Sequence, residues 1–321
     1  MESTKVWAVG LAAVTFDGRV LDIWYPKGQY GEVDQAVAAE QTEKLRILEG
    51  RDEARGVTNQ VMTVAVDADS APASVEDIFL RLHALSWRMF KPNKVNLEGM
   101  FEKMRMIAWT NHGSCDYEGF EETRLRLMAK YGKGVNVRSV DRVPRMLGFV
   151  APSDVRIANS ETVRLGAYLA PGTQIGYTGF VNYNAGTLGS ARVEGRLSTG
   201  VTVDDGCTVA GGASTAGSLA LGHHRRVSLG RNCQMGANSG LAIPLGDNCK
   251  VEAGLYLNSD TRVYVMPTGG VIPGEYGFIA DPRAVLADEL AGISNAMFRR
   301  NSQSGRVEVV PIPGTSLEYA S

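Results

Sequence analysis

Residues 173–212 read TQIGYTGFVNYNAGTLGSARVEGRLSTGVTVDDGCTVAGG, and their spacing decides the fold. Ile175, Val181, Thr187 and Val193 recur every six residues. A step of four then reaches Leu197, and Val203 and Val209 resume the step of six. Going backwards, the ladder extends through Leu169 and Val163 to Ile157. Going forwards from Leu197, sixth positions give Thr215, Leu221, Val227, Cys233, Ser239, Leu245, Val251, Leu257 and Val263. Small residues precede the first ladder by two (Ala167, Thr173, Gly179, Ala185, Ala191). Glycines follow the second by three (Gly200, Gly206, Gly212, Gly230, Gly236, Gly254).

An α-helix repeats every 3.6 residues and a strand every two, so neither sustains a period of six. A triangular solenoid does. Each face is a short strand with one apolar side chain inward, and each corner takes small residues or glycine. Stacked coils bury a core that no single coil could. The expectation is a left-handed parallel β-helix of hexapeptide repeats over roughly residues 155–265. The break at Glu194-Gly195-Arg196 re-aims side chains, which makes it a candidate site. The segment 217–226 is less regular and reads as a loop leaving the coil.

The remaining chain divides accordingly: an N-terminal α+β domain over 1–150, the β-helix over 151–265 and a C-terminal extension over 266–321. In the first, Asp17-Gly18 separates two apolar runs, 6–16 and 20–25, as a hairpin turn. Helices are expected at 34–48, 74–89 (Ser74 as N-cap) and 117–131, with strands at 61–66, 104–110 and 135–140. The extension reads as a loop, a short helix at 281–293 and a hairpin joining 298–300 to 307–310.

Composition narrows the function. The formal net charge is −2, which argues against a nucleic-acid or acidic-membrane partner. No apolar run reaches the roughly 18 residues of a membrane span, and residues 1–13 do not read as a signal peptide. The four cysteines form no Cys-x-x-Cys pair and read as free thiols of a cytoplasmic protein.

Several groups can carry chemistry. Glu194 beside Arg196 could act as base or nucleophile, or be a surface carboxylate paired with that arginine. Residues 211–214 and 235–240 offer small side chains and backbone amides to an extended ligand. His223, His224, Arg225 and Arg226 form a basic cluster. Arg299 and Arg300, before Asn301 and Ser302, suit phosphate. A three-histidine metal site is not supported, because His83 and His112 lie outside the solenoid.

Together, residues 181–189, 193–196, 211–214, 236–240, 251–256 and 298–302 resemble tetrahydrodipicolinate N-succinyltransferases of the actinobacterial type, and the resemblance extends into 10–22, 80–83 and 109–113. It implies a homotrimer with sites between chains, moving succinyl from succinyl-CoA, or another acyl-CoA, to an amine in lysine and diaminopimelate biosynthesis. Glu194 matches the family's catalytic glutamate, as nucleophile or general base. Arg196, Gly211, Ser214, Ala237, Glu252, Ala253, Arg299, Arg300, Asn301 and Ser302 match acyl-CoA-binding positions. Of the two carboxylates assigned to a magnesium ion, Glu161 is kept and Thr178 replaces the other, so a hard cation loses half its anionic ligands. Asp260 replaces a glycine and Leu286 a lysine, both at CoA contacts. One expectation is that Arg225 and Arg226 substitute for that lysine. The alternatives are a paralogous acyltransferase with other substrates and a non-catalytic trimeric scaffold.

Overall fold

The computed structural model describes residues 3–217, 225–266 and 283–318. His223 and His224, and the residues expected to open the 281–293 helix, lie outside them. The chain separates into two compact units: residues 1–151 with 164–166, and residues 152–163 with 167–321.

In the first unit, strand Lys5–Thr15 is the centre of an antiparallel sheet, pairing with Val20–Trp24, Gly28–Tyr30 and Val57–Asp67. The Asp17-Gly18 turn joins the first two, with Gly18 at φ 90°. Helix Val75–Ser86 is buried along nearly its whole length. The Ser74 hydroxyl caps it, accepting from the Asp77 amide at 3.3 Å. Arg81, almost fully buried, is neutralised by Asp77 and donates to the carbonyls of Ser70 and Asn96 at 2.8 and 3.1 Å. A second sheet of Gly113–Asp116, Ile107–Thr110 and Val137–Asp141 accompanies helix Phe120–Tyr131.

Two titratable groups in this unit are shifted in opposite senses. His83 is wholly buried between the Phe79 carbonyl and the Tyr25 amide, and burial pushes its pKa down to about 4. The unfolded chain takes up a proton below pH ~6.5 that the fold refuses until about 4, so stability falls as pH drops through that window, by about 3 kcal/mol in full. Desolvation raises Asp22 to about 6, against weaker opposing effects of Ser114 and Arg55. Its contribution declines as pH rises from ~3.9 to 6. In an Asp22→Asn background, denaturant titrations should therefore show stability falling from pH 6.5 to 4, and His83→Asn should flatten that slope. A slope unchanged by His83→Asn would refute the assignment.

The second unit is a three-faced parallel β-helix. Its first face stacks Arg156–Ile157, Gln174–Ile175, Ala191–Val193, Cys207–Val209, Gln234–Met235 and Lys250–Val251. The second stacks Phe180–Val181, Arg196–Leu197, Ser214–Thr215, Gly240–Leu241 and Tyr256–Leu257. The third stacks Tyr168–Leu169, Gly186–Thr187, Thr202–Val203 and Ser228–Leu229. The inward residue of nearly every strand is buried, as the sixfold spacing requires.

The second ladder needs a correction. Val203 pairs with Leu229 and Val209 with Met235, so the inward positions of that coil are Leu229, Met235 and Leu241, not Val227, Cys233 and Ser239. The latter sit two residues earlier and are also buried, which is why periodicity alone accepts them. On the third face, Leu169 and its partner Thr187 are 18 residues apart, whereas Val203 and Leu229 are 26 apart. The extra eight advance the phase of a six-residue repeat by two. A second step of four, from Leu241 to Leu245, restores it, since Leu245 bridges to Leu229. The two shifts cancel, so the ladder again coincides with the structure from Leu245 onwards.

The extension also differs from expectation. Within 281–293, Ala284–Leu286 is a strand pairing with Arg262–Val265, followed by the single 3-10 turn Ala287–Leu290. Val285 is buried opposite Val263, and β-branched residues of this kind favour a strand over a short helix. The expected hairpin is present as Ala296–Arg300 with Val307–Pro311. Its first strand pairs with Lys250–Val251 and so extends the first face by one rung.

Candidate active site

One corner of the β-helix, between its first and second faces, gathers the residues singled out from the sequence. The residue after the inward position of each first-face strand from Gln174–Ile175 onwards forms a row along this edge: Gly176, Glu194, Ala210, Gly236 and Glu252, continued by Arg299, which follows Phe298, the partner of Val251. Backbone bonds link the row, with the amides of Gly176, Glu194, Ala210, Gly236 and Glu252 donating to the carbonyls of Val193, Val209, Met235, Val251 and Phe298 at 2.8–3.1 Å. Glu194 stands between glycine and alanine. A Cβ on Gly176 would lie 2.7 Å from Glu194 Cγ, so glycine there leaves the carboxylate its space.

The break in the ladder is a shortened corner. Elsewhere four residues, such as 210–213, join the two faces, whereas Glu194 and Gly195 alone join Ala191–Val193 to Arg196–Leu197. Gly195 fits because a Cβ would lie 2.4 Å from the Ala213 carbonyl oxygen and 2.7 Å from that of Ala210. Its own carbonyl accepts from the Phe180 amide at 2.9 Å.

The expected partner of Glu194 is not its actual one. Arg196 points from the second face and lies over the Phe180 ring, 4.4 Å from its centroid. Arg192 pairs with Glu194 instead, its Nε 3.0 Å and Nη2 2.5 Å from Oε1. Residues 192 and 194 flank inward Val193, so strand alternation puts both outside. That alternation was a usable signal in the sequence.

Gly211, Ala237 and Ala253 occupy the second corner position on successive coils. Arg196 and Ser214 pair in register on the second face beside them. Farther along the edge, Glu252 Oε2 accepts from the Arg300 amide at 2.7 Å. Glu308, buried on the opposite hairpin strand, accepts from Arg299 Nη2 at 3.2 Å and Asn301 Nδ2 at 2.8 Å. Sequence reasoning missed Glu308, although the hairpin register that places it opposite Arg299 follows from where the turn lies. Ser302 is exposed at the tip. Beside the edge, a groove of about 430 Å³ runs over the outward residues Thr208, Gln234, Lys250 and Met297.

Glu161 lies on the first corner of the same edge, where it accepts from the Ser160 hydroxyl at 3.1 Å. The Thr178 hydroxyl donates to the Glu194 carbonyl at 3.0 Å. One carboxylate and one hydroxyl already used as a donor do not fit a hard divalent cation. No group of three potential ligands occurs among the described residues.

Arg225 lies 4.0 Å from Asp288, two residues beyond exposed Leu286. All four cysteines are buried and unbridged. Among the described residues no helix is long and apolar enough to cross a membrane.

Comparison with known proteins gives this edge a context. Residues 106–145 match the family profile described as tetrahydrodipicolinate N-succinyltransferase middle, and residues 226–259 match that of the hexapeptide repeat of succinyl-transferase. Two proteins named 2,3,4,5-tetrahydropyridine-2,6-dicarboxylate N-succinyltransferase, from Pseudomonas aeruginosa and Pseudomonas paraeruginosa, are each 44% identical over 240 residues, covering 75% of this chain and 67% of theirs. A crystal structure from Campylobacter jejuni, provisionally named as a 2,3,4,5-tetrahydropyridine-2-carboxylate N-succinyltransferase, superposes with a TM-score of 0.79 at 26% identity, covering 97% of this chain and 93% of that one. With relatives 44% identical over 75% of this chain and 67% of theirs, the chain belongs to the tetrahydrodipicolinate N-succinyltransferase family.

Proposed function

We propose that this chain transfers the succinyl group of succinyl-CoA to the amine of ring-opened tetrahydrodipicolinate, in lysine and diaminopimelate biosynthesis. It works as a homotrimer of left-handed β-helices, with the sites lying between chains. The observation that carries the reading is the Glu194 carboxylate, set on the edge between two small residues, of which Ala210 on the next coil lines the groove.

By the direct route the amine nitrogen attacks the thioester carbonyl carbon and the C–N bond forms as the C–S bond breaks. Glu194 takes the amine's proton and passes it to the departing CoA thiolate. By the covalent route the Glu194 carboxylate attacks that carbon first, forming an acyl anhydride as the C–S bond breaks and CoA leaves. The amine then attacks the acyl carbon, the C–N bond forms and the anhydride C–O bond breaks. The carboxylate is restored as the amine's proton goes to the CoA thiolate or solvent. Both routes need an ionised carboxylate with an accessible oxygen. Arg196, Gly211, Ser214, Ala237, Glu252, Ala253 and residues 299–302 would line the acyl-CoA track, with the arginines available to its phosphates. No step is routed through a metal, because Glu161 and Thr178 do not fit one.

A second reading keeps the chemistry and changes the substrates. It is favoured by Leu286, an exposed apolar side chain where the resemblance expects a CoA-binding lysine, and by exposed Asp260. A polyanionic ligand gains nothing from either. A thiol-release assay across several acyl-CoAs, with tetrahydrodipicolinate or a stable cyclic analogue as acceptor, separates the two. The first reading expects the highest kcat/KM with succinyl-CoA. Turnover confined to another acyl chain or acceptor would replace it with the second.

The same assay tests the C-terminal hairpin. Glu308→Gln weakens a buried, charge-assisted contact that holds Arg299 and Asn301, worth about 1.5 kcal/mol. The expected result is a KM for acyl-CoA raised about tenfold with kcat unchanged. A fall in KM would show that Glu308 competes with the ligand for Arg299.

A further inference from the structure

We propose that Arg192 is a positioning residue for acyl transfer: it fixes one oxygen of Glu194 and thereby presents the other to the reacting centre. The inference rests on the assignment of Glu194 made above.

Both contacts from the guanidinium, Nε at 3.0 Å and Nη2 at 2.5 Å, converge on Oε1. A side-on pair would have engaged both carboxylate oxygens. Here Oε2 carries no hydrogen bond among the described residues, which leaves it to meet the amine or the thioester carbon. Gly176 on the preceding coil leaves room for Cγ, and the Thr178 hydroxyl fixes the backbone from which the side chain springs by donating to the Glu194 carbonyl at 3.0 Å. A carboxylate free to turn about its last torsion would present either oxygen in many orientations. Fixing it supplies part of the entropy that the transition state otherwise loses.

Arginine suits the role better than lysine. Its guanidinium stays charged at any physiological pH, so a proton delivered to Glu194 is not passed on to its partner. The planar fork also defines where the carboxylate plane lies, which a single ammonium does not. Because the Arg192 side chain is 64% exposed, replacing it should leave folding intact.

Thiol release would be measured for Arg192→Ala, Arg192→Lys, Glu194→Gln and the double variant Arg192→Ala/Glu194→Gln, with melting curves to confirm folding. The expected result is that Arg192→Ala lowers kcat by about 10–100-fold while KM for succinyl-CoA moves by less than about twofold. Arg192→Lys should recover part of the loss, as should guanidinium added to Arg192→Ala at non-denaturing concentration. In the Glu194→Gln background, removal of Arg192 should cost nothing more. A raised KM with unchanged kcat would overturn the proposal, since Arg192 would then be binding a substrate directly. So would a multiplicative loss in the double variant. Full activity of Glu194→Gln would instead remove the assignment of Glu194 itself. An inactive Glu194→Gln beside a fully active Arg192→Ala would remove only the role of Arg192.

Discussion

Glu194→Gln is expected to lower kcat by about 1,000-fold, a barrier increase of about 4 kcal/mol, with the fold intact. Glutamine has the same shape, so it fits between Gly176 and Ala210 and still offers an oxygen to Arg192. What it lacks is a carboxylate. An amide neither accepts the amine's proton at neutral pH nor forms an acyl anhydride, so both routes fail together. Thermal stability should shift little, because the Arg192–Glu194 pair is exposed (64% and 36%) and such pairs contribute about 0–1 kcal/mol. Steady-state thiol release together with a melting curve checks both statements. Activity within tenfold of the parent would remove Glu194 from the chemistry.

The largest effect on stability is expected at the neighbouring residue. In Gly195→Ala the added methyl meets the carbonyl oxygens of Ala213 and Ala210 at 2.4 and 2.7 Å, and Val209 Cγ1 at 2.9 Å. Neither carbonyl can retreat freely. The Ala213 oxygen accepts from the Arg196 amide at 2.7 Å, and the Ala210 oxygen from the Ala213 amide at 3.0 Å. Relief therefore requires the two coils to separate, at about 3 kcal/mol and a fall in Tm of about 6–12 °C for a unit of this size. Activity should fall with it, since Glu194 precedes the displaced residue. Gly211→Ala is the control: a Cβ there meets nothing within 4 Å, and its melting temperature should match the parent. Equal melting of the two variants would show that the short corner is not under steric constraint.

Much of this architecture is written in local spacing. A six-residue period with small corner residues admits few other folds, and the inward residues from Val163 to Thr215 are buried as that period requires. The Asp17-Gly18 turn and the Ser74 cap are similarly local, because each depends on backbone conformations a few residues apart. Where spacing misleads, the cause is identifiable. Val227, Cys233 and Ser239 are buried near the corners, so their apolar or small character imitates the inward positions two residues later.

The candidate site was legible in part. The shortened corner drew attention to Glu194, and the family resemblance selected Gly211, Ala237, Glu252 and Arg299. Their alignment along a single edge depends on coil lengths, and those are decided by stacking. A coil of 16 residues follows Val193, one of 26 follows Val209, and another of 16 follows Met235. The hairpin joins the same edge only because Ala296–Arg300 finds the open rim of Lys250–Val251, a pairing 47 residues away in sequence.

The repeat, its small corners and the carboxylate at the phase break were determined by the order of residues, because burial with period six is a property of each short segment. The partner of that carboxylate was decided only in three dimensions. Arg192 and Arg196 are equally near Glu194 in sequence, but strand alternation keeps Arg192 on its face while the corner turns Arg196 towards Phe180. Likewise, whether a glutamate could stand on this edge at all depended on Gly176, one coil away, leaving room for it.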